Sequence, residues 1–247
     1  MPQLWGLFGI LHLSSLVLAA GIIFLLYFLL KNRSDKTKRI VMFILSLSGM
    51  AAVIYNLVTW GSPLEYLPLH LCSINAILLP IVVLTDNRTL GNVMMIWCVG
   101  AFLANTMQFY ASDWGDLIGP TYLFFYLPHV FECAVPILLV KFGFVKKELS
   151  YLPRMLGITA GIYTVIHFVN LALNAYIAKA GLDFTVNYMY SLDHEGIPIL
   201  KFLYDLLPFD YFYMYAVTPI LLIYLAILYQ KEIRLAWKAH KEKRAKV

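Results

Sequence analysis

Two apolar stretches of the sequence carry side chains that could do chemistry. The first, Leu64–Asp86, contains an imidazole, a thiol and an amide close together: His70, Cys72 and Asn75. The second, Thr121–Lys141, contains His129, Glu132 and Cys133. Placing ionisable groups inside a membrane helix costs free energy, so such groups usually have partners or a function. We therefore expect the two stretches to meet in one polar pocket.

Helical spacing decides which of these side chains share a face. Positions i, i+3 and i+4 lie together on a helix, so His129, Glu132 and Cys133 share one, and Glu132 is placed to orient His129. His70 and Cys72 are two residues apart, about 200° around a regular helix. In a regular helix they would point in nearly opposite directions, whereas a first turn distorted by Pro68 would bring them closer.

One chemistry that fits is nucleophilic acyl transfer. Cys72 would be the nucleophile, His129 its general base and Glu132 the group that holds the imidazole. An imidazole can take a thiol proton directly, so a Cys–His pair is sufficient in principle.

Two other chemistries fit the same residues. One is an intramembrane zinc hydrolase with His70, His129 and His167 as ligands, because three protein ligands plus a water form the usual catalytic zinc site. The other is no catalysis, with the pocket binding a lipid headgroup or a small solute as a binding protein or carrier would. Prolines near the polar positions of both stretches are typical of broken transporter helices.

The composition predicts an all-α, polytopic membrane protein with one transmembrane domain over residues 1–247. The chain is 61% hydrophobic and 13% charged, whereas soluble domains have about 45–50% apolar and about 25% charged residues. The surplus apolar surface must face lipid. The formal charge of +5 lies in connectors and the tail, so it reports topology and gives no reason to expect a nucleic-acid partner.

Seven stretches approach the roughly 20 apolar residues that a spanning helix needs. They are residues 4–30, 40–60, 64–84, 90–110, 121–142, 152–178 and 210–230. Of the 19 Lys and Arg residues, all except Lys179 and Lys201 lie after helices 1, 3 and 5 or in the tail. The positive-inside rule then predicts a seven-helix bundle with its N-terminus outside and its C-terminus in the cytoplasm.

Two segments lie outside the predicted spans. Residues 179–209 are expected to form an extracellular cap, with the apolar run Ile197–Leu207 as an interfacial helix. The basic tail, residues 231–247, is expected either near anionic headgroups or as a solvated helix end.

Helix direction places many polar side chains in the outer half of the bilayer. A single asparagine there usually forms a hydrogen bond between neighbouring helices. A cluster at one depth implies an enclosed polar cavity, because no water is available in the hydrocarbon layer. The candidate substrate-binding residues, at this depth or in the cap, are His70, Asn75, Asn105, Gln108, His167, Asn170, Asn187 and Tyr188.

Three segments carry a resemblance to a known family. With LPLHLCSI around His70, LPHVFE around His129, and Asn170 and Asn174 ahead of Asn187-Tyr188-Met189-Tyr190, the chain resembles the bacterial YwaF-type integral membrane proteins. These look related to the eukaryotic transmembrane protein 164 family. The resemblance extends from helix 2 to helix 7.

The resemblance implies a seven-helix bundle of the bacterial plasma membrane and a phospholipid acyltransferase that works through a cysteine thioester. Its partners would be membrane lipids, and it would need no cofactor. The family histidine matches His129. The family cysteine is expected directly before His70, where this chain has Leu69, and Cys72 follows one helical turn later.

Overall fold

The computed structural model describes residues 9–59, 61–107 and 118–244, which are mostly helical and include no strand. The α-helices are α1 (Ile10–Leu30), α2 (Asp35–Thr59), α3 (Leu71–Thr85), α4 (Arg88–Met107), α5 (Leu127–Lys141), α6 (Leu152–Lys179), α7 (Pro198–Leu206), α8 (Thr218–Leu228) and α9 (Gln230–Arg244). They belong to two compact units, Met1–Val145 and Lys146–Val247.

Helix α5 is the centre of the first unit. It packs against α1, α2, α3 and α4, and almost every side chain from Pro128 to Leu139 is buried. By contrast, α1 is apolar on all sides and buries only His12, Ser15 and Leu30. A helix that is apolar on all sides yet largely uncovered by protein is suited to face lipid.

The third predicted helix is shorter than the sequence suggested. It begins at Leu71 and not near residue 64, because Pro63 opens a 3₁₀ turn ending at Glu65 and the residue before Pro68 is disfavoured in helical conformation. His70 is the N-cap, with extended backbone at φ −71° and ψ 152°. His70 and Cys72 therefore do not lie on one regular helix, so the predicted separation of about 200° does not apply to them.

The second unit consists of the long helix α6, a loop and three shorter helices. The loop is organised by a turn at Tyr188–Tyr190, in which Met189 has a positive φ of 56°. A 3₁₀ segment, Phe212–Val217, leads directly into α8. The seventh predicted span thus begins as a 3₁₀ helix, and the chain bends by 75° between α8 and α9.

Five helices in the described ranges are long and apolar enough to cross a membrane: Ile10–Leu30, Asp35–Thr59, Arg88–Thr106, Tyr122–Lys141 and Leu149–Lys179. The bent pair Phe212–Leu228 and Gln230–Glu242 is a sixth candidate, and α3 is a shorter apolar helix of 15 residues. The chain thus has the helices of a multi-pass membrane protein.

Candidate functional site

The three cysteines of the first unit differ in accessibility. Cys98 and Cys133 are buried, and the Cys133 thiol donates a hydrogen bond to the backbone oxygen of Cys98 at 3.1 Å. Cys72 is a free cysteine that is only partly buried. A nucleophile must reach its substrate, so Cys72 is the one suited to that role.

Cys72 lies in the first turn of α3, directly after the His70 N-cap and Leu71. The amides of a helix's first turn have no partners within the helix and favour negative charge. Burial among apolar neighbours opposes ionisation, so formation of the thiolate calls for a nearby base.

His129 is buried in the first turn of α5. Its Nδ1 lies 2.5 Å from the carbonyl oxygen of Phe125. A carbonyl can only accept, so Nδ1 carries the hydrogen and Nε2 is left with a lone pair, the form that a general base requires. Phe125 belongs to a π-helical turn, Tyr122–Tyr126, and such turns often occur at functional sites.

Glu132 is 4% exposed and stands one turn beyond His129 on α5. Asn75 of α3 donates its Nδ2 hydrogen to Glu132 Oε2 at 3.4 Å. Cys72 stands one turn before Asn75 on α3. The Asn75 contact thus joins Glu132, on the helix that carries His129, to the helix that carries Cys72.

Asn75 also contributes an unused acceptor. Its side chain is 1% exposed, and Oδ1 has no hydrogen-bond partner within the described residues. Buried polar atoms are nearly always paired. An orphaned acceptor beside Glu132 is therefore a place where a donor from a ligand would be accommodated.

A residue that the sequence reasoning missed, Gly49, allows three helices to meet at Glu132. A Cβ at this position of α2 would lie 2.6 Å from the Cβ of Ala76 on α3 and 3.2 Å from Glu132 Oε1. Real Cβ atoms do not approach so closely, so glycine sets the distance between α2 and the carboxylate. In the sequence, the only indication of this close approach is a small residue within an apolar helix.

Asn105 lies in a second polar region of the same unit. His12 Nε2 is 3.1 Å from the Asn105 backbone oxygen. The Asn105 side-chain Oδ1 and the Tyr122 hydroxyl are buried without partners in the described residues, and both line a cavity of about 10 Å³, about the volume of one water probe. The other residue predicted here, Gln108, lies outside the described residues.

The polar residues of the second unit organise its loop. Asn170 and Asn174 on α6 bind the backbone of Tyr188 and Val186, and Asn170 Nδ2 also donates to Ser191 Oγ at 2.9 Å. His167 Nδ1 is 3.2 Å from that same oxygen. His167, Asn170 and Asn174, spaced three and four residues apart on α6, thus form the surface on which the loop is fixed.

Asn187 and Tyr211 extend this network. Asn187 accepts from the Leu192 amide at 2.9 Å and donates to the Asp193 backbone oxygen at 2.9 Å. Tyr211 has φ 63° and ψ −53°, a costly conformation for a non-glycine residue. Its carbonyl accepts from the Tyr163 hydroxyl at 2.8 Å, and its amide donates to the Ser191 carbonyl at 2.9 Å.

The three histidines predicted as zinc ligands do not form a group within one unit: His70 and His129 belong to the first and His167 to the second. Within residues 9–59, 61–107 and 118–244, no cluster of three or more His, Cys, Asp or Glu side chains is arranged to hold a metal ion.

Comparison with known proteins gives one family. The model of the TMEM164 family matches residues 7–229, a range that includes Cys72, His129, Glu132 and the asparagines of α6. Comparisons with curated proteins and with solved structures gave no match.

Proposed function

The chain belongs to the TMEM164 family, and on that premise we propose that it is a membrane-embedded enzyme that transfers or hydrolyses fatty acyl esters of glycerophospholipids. In this proposal it is a YwaF-type protein of a bacterial plasma membrane with seven spans. Its N-terminus lies outside and its C-terminus in the cytoplasm.

The observation that carries the proposal is the connection of Cys72 and His129 through Glu132. Asn75, one turn after the partly buried Cys72 on α3, donates to Glu132, and Glu132 stands one turn after His129 on α5. A nucleophile, a base and a group that orients the base are the parts of covalent acyl-transfer catalysis.

The reaction follows from these roles. His129 Nε2 takes the Cys72 proton, and the sulfur attacks the ester carbonyl carbon to form a C–S bond. The C–O bond to the glycerol then breaks, and His129 returns the proton to the departing oxygen. The product is a lysophospholipid and an acyl thioester on Cys72.

In the second half-reaction, His129 takes a proton from an acceptor hydroxyl as that oxygen attacks the thioester. The C–S bond breaks and the proton returns to sulfur. A lipid hydroxyl as acceptor gives acyl transfer, and water gives hydrolysis. The amides of the first turn of α3 supply donors for the carbonyl oxygen in both steps.

The proposal gives the remaining predicted residues supporting roles. His70 and Asn75 would contact the ester or headgroup, Asn75 through its unpaired Oδ1, and Asn105 and Gln108 would bind polar groups of the substrate. In the second unit, His167, Asn170, Asn187 and Tyr188 would act through the shape of the loop that they hold.

Intact-mass analysis of the protein purified from membranes tests the proposal, with wild type beside Cys72→Ala. We expect a mass increase equal to a fatty acyl group, removed by hydroxylamine and missing in Cys72→Ala. Cys98→Ala and Cys133→Ala are matched controls and should retain the adduct, because both thiols are buried.

An unmodified wild-type chain that carries the same intact lipid as Cys72→Ala would overturn the acyl-transfer proposal. The alternative function, a binding protein or carrier for lipids or small solutes, would then take its place.

A further inference from the structure

The last helix, α9, has a basic stripe next to an apolar one. Spacing of three and four residues places four exposed cations on one side of the helix: Lys231, Arg234, Lys238 and Lys241. Beside this stripe, Ile233 and Trp237 are one turn apart, and they are 43% and 58% exposed. The Lys241 ammonium lies 4.0 Å from the centre of the Trp237 ring.

The charge of α9 is strongly positive. Over Gln230–Arg244 there are six Lys and Arg and two Glu residues, so the net charge is 6 − 2 = +4. A helix with this charge does not continue a bilayer span. Exposed Trp with Lys and Arg beside it is typical of helices that lie at a membrane surface.

The direction of α9 is fixed at its first residue. Between α8 and α9 the chain turns by 75° around Tyr229, which is fully buried. Lys147 donates to the Leu228 carbonyl at 2.5 Å, and its ammonium lies 3.5 Å from the Glu232 carboxylate. One cation thus binds both the end of α8 and the first turn of α9, which holds α9 across the axis of α8.

We propose that α9 is a membrane-surface helix that binds the headgroups of anionic phospholipids. With Phe212–Leu228 as the segment that crosses the bilayer, a 75° turn brings α9 close to the membrane plane. The basic stripe then faces the phosphates, and Ile233 and Trp237 enter the boundary between headgroups and acyl chains. α9 begins one residue beyond the range that the family model matches, so this surface is independent of the proposed acyl chemistry.

The test uses the full chain in nanodiscs made of zwitterionic phospholipid, with or without added phosphatidylglycerol. The emission of Trp237 is isolated as the difference between wild type and Trp237→Phe, and quenching by acyl-brominated lipid reports its insertion. We expect insertion to increase with the anionic lipid fraction and to decrease with added salt, because salt screens exposed charges.

A charge variant and a matched control make the test specific. Each cation near an anionic surface strengthens association by about fivefold, so Arg234→Gln/Lys238→Gln should weaken the anionic-lipid dependence about 25-fold. Arg33→Gln/Lys36→Gln removes one Arg and one Lys from exposed positions outside α9 and should leave the quenching of Trp237 unchanged.

Three results would overturn the proposal. The first is equal quenching with and without anionic lipid. The second is an unchanged dependence in Arg234→Gln/Lys238→Gln. The third is a Trp237 shielded from both brominated lipid and aqueous iodide, which would mean that protein covers this face instead of lipid.

Discussion

The side-chain amide of Asn174 pairs with the backbone of Val186 in both directions. Asn174 Nδ2 donates to the Val186 oxygen at 2.8 Å, and the Val186 amide donates to Asn174 Oδ1 at 2.8 Å. Asn170 repeats the pattern with Tyr188, at 2.8 and 3.0 Å. Four helical residues rise about 6 Å and two extended residues about 6.6 Å. The two side-chain amides are therefore spaced to pair with alternate residues of the loop, as the backbone of a neighbouring strand would.

Replacing Asn174 by Ala should destabilise the second unit. The buried amide and carbonyl of Val186 would lose their partners, and each unpaired buried group costs about 1–3 kcal/mol. We expect the free energy of unfolding to fall by about 2–4 kcal/mol on the same basis. Thermal unfolding in detergent and hydrogen exchange at the Val186 amide measure the effect.

Asn174→Asp provides the comparison. Ionised, its carboxylate accepts from the Val186 amide but sets a second acceptor oxygen against the Val186 carbonyl, whereas the protonated form can also donate. Its loss of stability should therefore be smaller at acid pH than at neutral pH. Equal stability of wild type and Asn174→Ala, with unchanged exchange at Val186, would show that this pairing does not hold the loop.

Gly49→Ala should perturb the first unit at Glu132. The added methyl group would lie 2.6 Å from the Ala76 Cβ, and such overpacking costs about 1–3 kcal/mol. The double variant Gly49→Ala/Ala76→Gly should recover part of the lost stability, because it removes the nearest atom while the Ala76 Cα and Glu132 Oε1 remain at 3.2 Å. Melting temperatures of the two variants and wild type measure this.

Gly21→Ala is the control for a glycine in a helix. No atom lies within 4 Å of a Cβ at Gly21, so its melting temperature should equal or slightly exceed that of wild type. A Gly49→Ala protein as stable as Gly21→Ala would contradict the close approach of α2 to Ala76 and Glu132.

The sequence predicts much of the helical fold because long apolar runs end at polar residues, Gly or Pro. Residues 152–178 were predicted as a helix, and α6 runs Leu152–Lys179. The start of α3 was missed although Pro63 and Pro68 stand in the predicted span. Length and hydropathy dominated that prediction, whereas the local restriction that proline imposes on the preceding residue decided the structure.

The partners of the polar residues were harder to predict than their positions. The spacing of Asn170 and Asn174 placed them on one face of a helix, and they do share one. Their partners are the backbone groups of Val186 and Tyr188, which come into reach only because the chain turns back after α6. For Glu132, the sequence indicated His129 as a neighbour by spacing, whereas Asn75 and Gly49 approach from other helices.

Glu132→Gln should preserve the fold and slow the chemistry. The glutamine can still accept from Asn75 Nδ2, but it lacks the carboxyl group that would ionise beside a protonated His129. General-base catalysis contributes about 10²–10⁴-fold, so we expect acyl transfer from phospholipid to fall by at least about 10²-fold on that scale. The rate of thioester formation measures this directly.

Glu65→Gln is the control for Glu132→Gln. It makes the same change in the 3₁₀ turn Pro63–Glu65 and should retain full activity. Glu132→Asp keeps the charge and should recover part of the rate. Two results would show that Glu132 is not part of the catalytic group. One is a wild-type rate in Glu132→Gln, and the other is a loss of activity that equals the loss of folded protein.

Lys147→Met should loosen the junction of α8 and α9. The substitution removes the donor to the Leu228 carbonyl and leaves the largely buried Glu232 carboxylate without its cation. A hydrogen bond from a charged group contributes about 1.5–3 kcal/mol, so the first-turn amides of α9, such as Ile233, should exchange faster by about tenfold or more.

Lys146→Met changes the adjacent, exposed lysine and should leave this exchange unchanged. Adding Glu232→Gln to Lys147→Met should restore part of the protection, because an unpaired amide is less costly to bury than an unpaired carboxylate. Equal exchange in wild type and Lys147→Met would mean that the packing of Tyr229 alone fixes the 75° turn.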